Sequence, residues 1–290
     1  MIAIEVKNLI KHFGVVKAVD KISFKVKKGE IFGFLGPNGA GKTTTIRMMM
    51  DFIRADGGEI KILDKDSRFD SIDIKQELGY LAPQPRLYEN WTGDDHLQFI
   101  ARIRGGMDEA KRLIEKFDFN PKVKIRNLSS GNRQKLSLIL ALMSEPKVLI
   151  LDELTTGLDP LLQNAVYKTL EDYKDKGVTI FLSSHNLPEV QRICDRAAII
   201  KAGKLMAVED IKELKKKHIY DVRVFFESDY ELNDFKISGV EIKEQIDGNL
   251  KLIVKGDINN LLKILAKYKL RDLEINHGGL EDIFLEFYKN

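Results

Sequence analysis

Apolar and polar positions change their period several times along the chain, and each change marks an element. Short apolar or alternating runs at residues 2–6, 18–26, 30–35, 78–82, 148–152, 178–183 and 197–201 predict strands. Helical spacing separates the later runs; Leu136, Ile139, Leu140 and Met143 share one predicted buried face. Strands alternating with helices predict an α/β domain whose parallel strands are covered on both sides. The stretch "VLIL", residues 148–151, is the clearest central strand.

The texture changes near residue 209. There "EDIKELKKKH" predicts a polar helix, its lysines on a solvated face, leading into a linker. Beyond it "DVRVFF", "VEIKEQI" and "LKLIV" predict antiparallel strands, with Asp247, Gly248 and Asn249 turning between the last two. Two short amphipathic helices are predicted next, one on Ile258, Leu261, Leu262 and Leu265, the other on Leu280, Ile283, Phe284 and Phe287. The expected organisation is a large domain over residues 1–212 and a small α+β module over 213–290.

Composition narrows the class without changing this outline. With 290 residues, 43% hydrophobic and 31% charged, the chain can bury a sizeable core. A formal net charge of +3 is too mild for a nucleic-acid footprint, so no nucleic-acid partner is expected. The single cysteine, Cys194, excludes an internal disulfide and reads as a small buried hydrophobe in a reducing compartment. No apolar run approaches the ~20 residues of a membrane helix, and the start "MIAIEVKNL" has no signal-peptide pattern. A soluble chain is expected, so any membrane role would come through a partner.

The first candidate chemistry follows the strand "EIFGFL". There "GPNGAGKTTT" matches G-x-x-x-x-G-K-[ST] between a strand and a helix. Glycines 36, 39 and 41 let successive N–H groups turn toward phosphate oxygens, and the helix that follows adds its positive end. Lys42 is placed to reach β- and γ-phosphates and Thr43 to hold Mg²⁺. The second half of the site is "VLILDELTTGLDP". Asp152 ends a buried strand, where a carboxylate can hold Mg²⁺ directly or through water. Glu153 comes next, free to take a proton from an attacking water.

One stretch is odd on helical grounds alone. "LSSGNRQKL", residues 128–136, opens a helix with two serines and a glycine, yet neither serine has the Glu or Gln three residues on that a capping box needs. Within it "LSSGN" resembles the signature sequence of ATP-binding cassette (ABC) proteins, usually LSGGQ, and Ser129, Ser130, Gly131 and Asn132 occupy its positions. In that family the phosphate loop of one subunit and the signature of the other sandwich an ATP. The resemblance covers about residues 1–210. It implies a P-loop NTPase fold, a RecA-like core with antiparallel β and helical subdomains. The helix dipole would supply about 0.3–2 kcal/mol toward such a contact. Each hydrogen bond to a charged oxygen adds roughly 1.5–3 kcal/mol. A few of these at two composite sites exceed the ~5.5 kcal/mol that moves a population from 1:99 to 99:1.

Further roles come from the resemblance. It implies that Gly36, Pro37, Asn38, Gly39, Ala40, Gly41, Lys42, Thr43 and Thr44 bind ATP and that Phe13, in "KHFG", stacks on adenine. Asp159, in "GLDP", resembles the loop that communicates between the two sites. His185, in "SSHNLPE", resembles the switch histidine at the γ-phosphate. In "GYLAPQPRLY", Gln84 resembles the glutamine that contacts nucleotide and magnesium, offset by one because Pro83 holds the usual register. The signature is Ser-Ser-Gly-Asn where most relatives have Ser-Gly-Gly-Gln, and Leu154 replaces the usual proline after the Asp-Glu pair. Leu87, Tyr88 and Trp91 form a loop that could meet a membrane subunit or pack on the helical subdomain. The ending "DLEINHGGLEDIFLEFY" resembles the accessory domain of drug-resistance-type exporter ATPases.

What the resemblance implies is an ATPase subunit that pairs as a homodimer or with a second cassette, and drives a separate membrane permease from the cytoplasmic face of the cell membrane. A soluble ABC ATPase acting on nucleic acid or ribosomes is the alternative; the single cassette and absence of sustained heptads weigh against it. A nucleotide-binding regulator without turnover is a third.

Overall fold

A computed structural model describes residues 1–277 apart from 156–157, 217–218 and 247. The predicted helix on residues 280–287 and Asp247 of the predicted turn lie outside the described residues. The chain folds as two compact units, Met1–Val208 and Glu209 onward.

The first unit runs in chain order through β1 (Ile2–Phe13), β2 (Val16–Lys27), β3 (Ile31–Leu35), α1 (Lys42–Met49), β4 (Gly57–Ile62), β5 (Lys65–Asp66), α2 (Ser71–Gln76) and β6 (Leu78–Leu81). It continues with α3 (Gly93–Arg104), α4 (Met107–Lys116), α5 (Ser130–Leu142), β7 (Val148–Asp152), α6 (Pro160–Asp175), β8 (Thr179–Ser184), α7 (Leu187–Ile193), β9 (Arg196–Lys201) and β10 (Lys204–Asp210). A six-stranded sheet has the order β10-β9-β3-β8-β7-β6, and the pairs from β9 across to β6 are parallel. Every residue of β3, β7 and β8 is buried, as continuous apolar runs require when both faces are covered.

A second sheet, β2-β1-β4-β5, is antiparallel and half-solvated. Along β2 the alternation puts Ile22, Phe24 and Val26 inward. Phe24 there meets Phe32 and Phe34 of β3 and Phe181 of β8, with ring centroids 5.7, 5.3 and 5.9 Å away. This aromatic layer joins the two sheets. The strand β4 escapes the sequence pattern because "GGEIKI" opens on two glycines and carries only two apolar residues. β5 has two residues and no pattern at all.

Helices α3, α4 and α5 pack on one another, and α5 also touches β6. Thr92 and Asp95 cap α3 reciprocally. The single predicted face of α5 gives way to burial nearly all round: Leu136, Leu138, Ile139, Ala141 and Leu142 are all enclosed, while Leu140 is only partly so. A helix with neighbours on several sides loses its amphipathic period.

The second unit contains α8 (Ile211–Lys216), β11 (Ile219–Phe226), β12 (Val240–Ile246), β13 (Asn249–Lys255), α9 (Asn259–Leu265) and β14 (Leu270–His277). Its sheet, β12-β13-β11-β14, is antiparallel throughout. Val222, Val224, Leu250, Leu252 and Val254 form a core with Phe235, Leu261 and Leu265. The polar helix starts two residues later than its pattern suggests, since β10 runs on through Asp210. β14 was not legible as a strand because charged residues interrupt its apolar ones.

Phe181→Ala is expected to cost roughly 3–5 kcal/mol, the usual loss for an aromatic side chain in a packed core. Urea unfolding should show a lower midpoint at unchanged slope, whereas Phe99→Ala, at a half-exposed position, should leave the midpoint close to wild type.

Candidate functional site

Parallel pairing fixes where the loops emerge. β3, β8 and β7 are successive neighbours running the same way, so the loops after Leu35, Ser184 and Asp152 leave the same edge of the sheet. Ligands bind at that edge in open α/β sheets.

The loop after β3 is shaped by its glycines in two ways. A Cβ on Gly36 would lie 2.3 Å from the Ile200 carbonyl, so that glycine permits close packing against β9. Gly39 and Gly41 have φ of +79° and +107°, a region that glycine enters without strain. Gly41 is also the N-cap of α1, and no side chain caps that helix. Its first N–H groups therefore remain available to an outside acceptor. Asn38 and Gly39 are exposed, Pro37, Thr43 and Thr44 half-buried, and Ala40 buried.

Lys42, only 4% exposed, is folded into this loop. Its Nζ donates to the carbonyls of Gly36 and Pro37 at 2.9 and 3.1 Å and lies 3.6 Å from Glu153 Oε1. The cation is thus held inside the cradle with a carboxylate at one side.

Asp152 is completely buried at the end of β7. Ser183 Oγ donates to its Oδ1, whereas Oδ2 has no hydrogen-bond partner among the described residues. Burial pushes this carboxyl above its ordinary 3.8, against the Ser183 and Thr43 hydroxyls, which pull the other way. An orphaned buried carboxylate oxygen beside the Thr43 hydroxyl is the donor set a hard cation uses. Among the described residues no three His, Cys, Asp or Glu side chains cluster for a metal. Mg²⁺ suits such a sparse set, because it binds through one or two carboxylates together with phosphate oxygens and water.

Glu153 adopts φ +55°, uncommon for a residue with a side chain. Its N–H donates to Ser183 O and Oγ at 3.1 and 3.2 Å, which holds the turn and aims the carboxylate back over the cradle. His185, 51% exposed, places Nδ1 3.4 Å from Glu153 Oε1. Lys42, Thr43, Asp152, Glu153 and His185 are therefore one cluster.

The other predicted residues stand elsewhere. Ser129 is the N-cap of α5, its Oγ accepting from Asn132 N–H at 3.3 Å. An accepting hydroxyl keeps its own proton to donate. Ser129 and Ser130 are exposed, Gly131 and Asn132 half-buried, and a Cβ on Gly131 would meet nothing within 4 Å. Nothing among the described residues requires a glycine there. Phe13, 52% exposed, sits beside the β1–β2 turn with Lys11 Nζ 5.4 Å from its ring centroid. Asp159 caps α6, accepting from Leu162 N–H at 2.9 Å. Gln84 is exposed after β6, and no hydrogen bond among the described residues ties it to Thr43 or Asp152. Tyr88 is exposed, while Leu87 and Trp91 are half-buried. Tyr88 packs at 4.7 Å on Trp91, and its N–H donates to His96 Nε2 at 3.1 Å.

Sequence reasoning passed over several residues that shape this edge. Ser183, Ser184 and Glu189 lie beside the histidine in "SSHNLPE", and Gln134 Nε2 donates to Leu154 O at 3.1 Å from a buried position. Adjacent serines at the end of an otherwise apolar strand are the signal that could have found the first two.

Fold and site together define a nucleotide-binding ATPase cassette. The family profile described as ABC transporter matches residues 19–156. The chain is 33% identical to an uncharacterized ABC transporter ATP-binding protein, YhcH of Bacillus subtilis, over 98% of this chain and 95% of that one. It is 34% identical to the bacitracin transport ATP-binding protein BcrA of Bacillus licheniformis, over 98% and 96%. A solved ATP-binding subunit of an ABC transporter superposes with TM-score 0.68 at 29% identity, covering 74% of this chain and 92% of that one. A nucleotide-free ATP-binding cassette from an ABC transporter, 24% identical with TM-score 0.64 over 72% and 92%, shares the fold. The chain belongs to the ABC transporter ATP-binding family, whose cassettes bind and hydrolyse ATP. These relatives favour the transporter reading over one on nucleic acid or ribosomes.

Asp152→Asn should stabilise the nucleotide-free protein. A carboxyl whose folded-state pKa is raised costs stability as pH climbs from its ordinary 3.8 through the folded value, and the amide removes that cost. Calorimetry at neutral pH should show a melting temperature above that of wild type. The difference from wild type should shrink on acidification.

Proposed function

We propose that two copies of this chain, or this chain and a second cassette, enclose two ATP molecules between phosphate loop and signature and thereby drive a separate membrane permease. The observation that carries the hydrolytic part is the convergence of Lys42, Glu153 and His185 at one sheet edge, with Glu153 3.6 Å from one and 3.4 Å from the other. Residues 36–44 cradle the phosphates through main-chain N–H groups, and Lys42 neutralises the oxygens farthest along the chain of phosphates. Glu153 takes the proton of the attacking water, and His185 closes the site over the terminal phosphate. Mg²⁺, held by Thr43 and Asp152, would supply positive charge against the β- and γ-oxygens. Phe13 offers an exposed aromatic face to the adenine.

Joint enclosure rests on the signature. Ser129 has a hydroxyl proton to give, Ser130 is exposed beside it, and Gly131 faces open space, so this helix end can approach a phosphate presented by another molecule. The aromatic loop of Tyr88 and Trp91, braced by His96, offers apolar surface to a permease on the inner face of the membrane. No helix among the described residues is long and apolar enough to cross a membrane. Relatives named for bacitracin transport and linearmycin resistance support an exporter; cargo selection would then lie in the permease.

Glu153→Gln should keep ATP binding and lower turnover by roughly 10²–10⁴-fold in a phosphate-release assay. Near-normal hydrolysis would remove Glu153 from the proton-transfer role. In that slow background, ATP should convert monomer to dimer by sedimentation. Adding Gly131→Val, whose Cβ would meet nothing within 4 Å among the described residues, should leave folding intact and weaken that dimer at least about tenfold, the equivalent of about 1.4 kcal/mol. Dimerisation unaffected by the valine would place the signature outside the composite site.

A further inference from the structure

Glu189 is a buried carboxyl that the hydrolytic scheme leaves unused. It sits in α7, 3% exposed, among residues that are otherwise apolar on its inward side. Ser184 Oγ donates to its Oε2 at 2.5 Å, and Tyr167 OH of α6 donates to its Oε1 at 3.4 Å. The Thr155 hydroxyl, two residues beyond Glu153, draws the pKa of the same carboxyl downward. Burial pushes Glu189 up from the usual carboxylate range, and the three hydroxyls and His185 oppose that shift. The same carboxyl helps push Tyr167 up to about 12, after burial itself. An apolar side chain would fill this place without the desolvation cost, so packing alone does not account for an acid here.

What the carboxyl touches is the frame of the switch loop. Ser184 Oγ, while donating to Glu189, accepts from Asn186 N–H at 2.9 Å. The two groups tied together flank His185 on either side. His185 Nδ1 in turn lies 3.4 Å from Glu153 Oε1, so the carboxyl braces the segment that meets the Glu153 loop.

We propose that Glu189 is a positioning residue of the ATPase site: through Ser184 and Asn186 it fixes the His185 loop against the Glu153 loop. The inference rests on the hydrolytic reading above, and its test separates the two. Glu189→Gln keeps the shape but cannot accept from the Ser184 and Tyr167 hydroxyls with both terminal atoms. In the full chain without nucleotide, the Asn186 amide should exchange with deuterium about tenfold faster than in wild type, while amides of β9 stay unchanged. ATP turnover at saturation should fall about tenfold with KM within about twofold, and the same substitution in a His185→Ala background should change residual turnover by less than about twofold. Wild-type exchange at Asn186, or an equal fractional loss with and without His185, would overturn the proposal. A wild-type chain that does not hydrolyse ATP would defeat the hydrolytic reading and leave the exchange measurement to decide this one. Should Glu189→Gln fail to fold, Ser184→Ala cuts the same link from the other end and should accelerate Asn186 exchange alike; a slow-exchanging Asn186 in that variant also counts against the link.

Discussion

Backbone hydrogen bonds between β3, β8 and β7 set the geometry on which everything chemical in this protein depends. Because the three strands are parallel and adjacent, Leu35 pairs with Ser184 and Ser183 pairs with Asp152. Residues far apart in the chain are thus brought level at one edge. The phosphate loop, the Asp-Glu pair and the histidine need no further device to meet. The aromatic layer of Phe24, Phe32, Phe34 and Phe181 holds the antiparallel sheet on that platform, so disorder in the core would reach the site through two of the same strands.

The site itself is locally unfavourable, and its surroundings compensate. Glu153 holds a positive φ, Asp152 has a buried oxygen with no partner among the described residues, and Lys42 is a buried cation. Ser183 eases the first, accepting from the Glu153 N–H, and donates to Oδ1, the other oxygen of the Asp152 carboxylate. Glycines 36 and 41 let the cradle press against the Ile200 and Ala18 carbonyls. Strain of this kind persists only where neighbouring structure over-determines it. It leaves charged groups poised for a ligand that brings opposite charge.

Different constraints govern the signature. Among the described residues, Ser129 caps α5 and Gly131 has room to spare. Behind that exposed end, however, Gln134 reaches the Leu154 carbonyl, so the signature helix is wired to the loop after Glu153 in the same molecule.

Amino-acid order alone settled the parallel α/β class, because fully apolar runs such as "VLIL" have no stable place except between two layers. The spacing of Gly36, Gly41, Lys42 and Thr43 was likewise readable as a phosphate-loop pattern. Strands β4, β5, β10 and β14 were not legible: their polar or glycine-rich residues become strands through pairing rather than through their own pattern. The all-round burial of α5 depended likewise on three neighbours that no local period encodes. Tertiary structure alone decided which hydroxyls face which carboxylates. Ser183 against Asp152 and Ser184 against Glu189 are alternate sides of one strand, and only the helices and strands packed on each side determine what those sides meet.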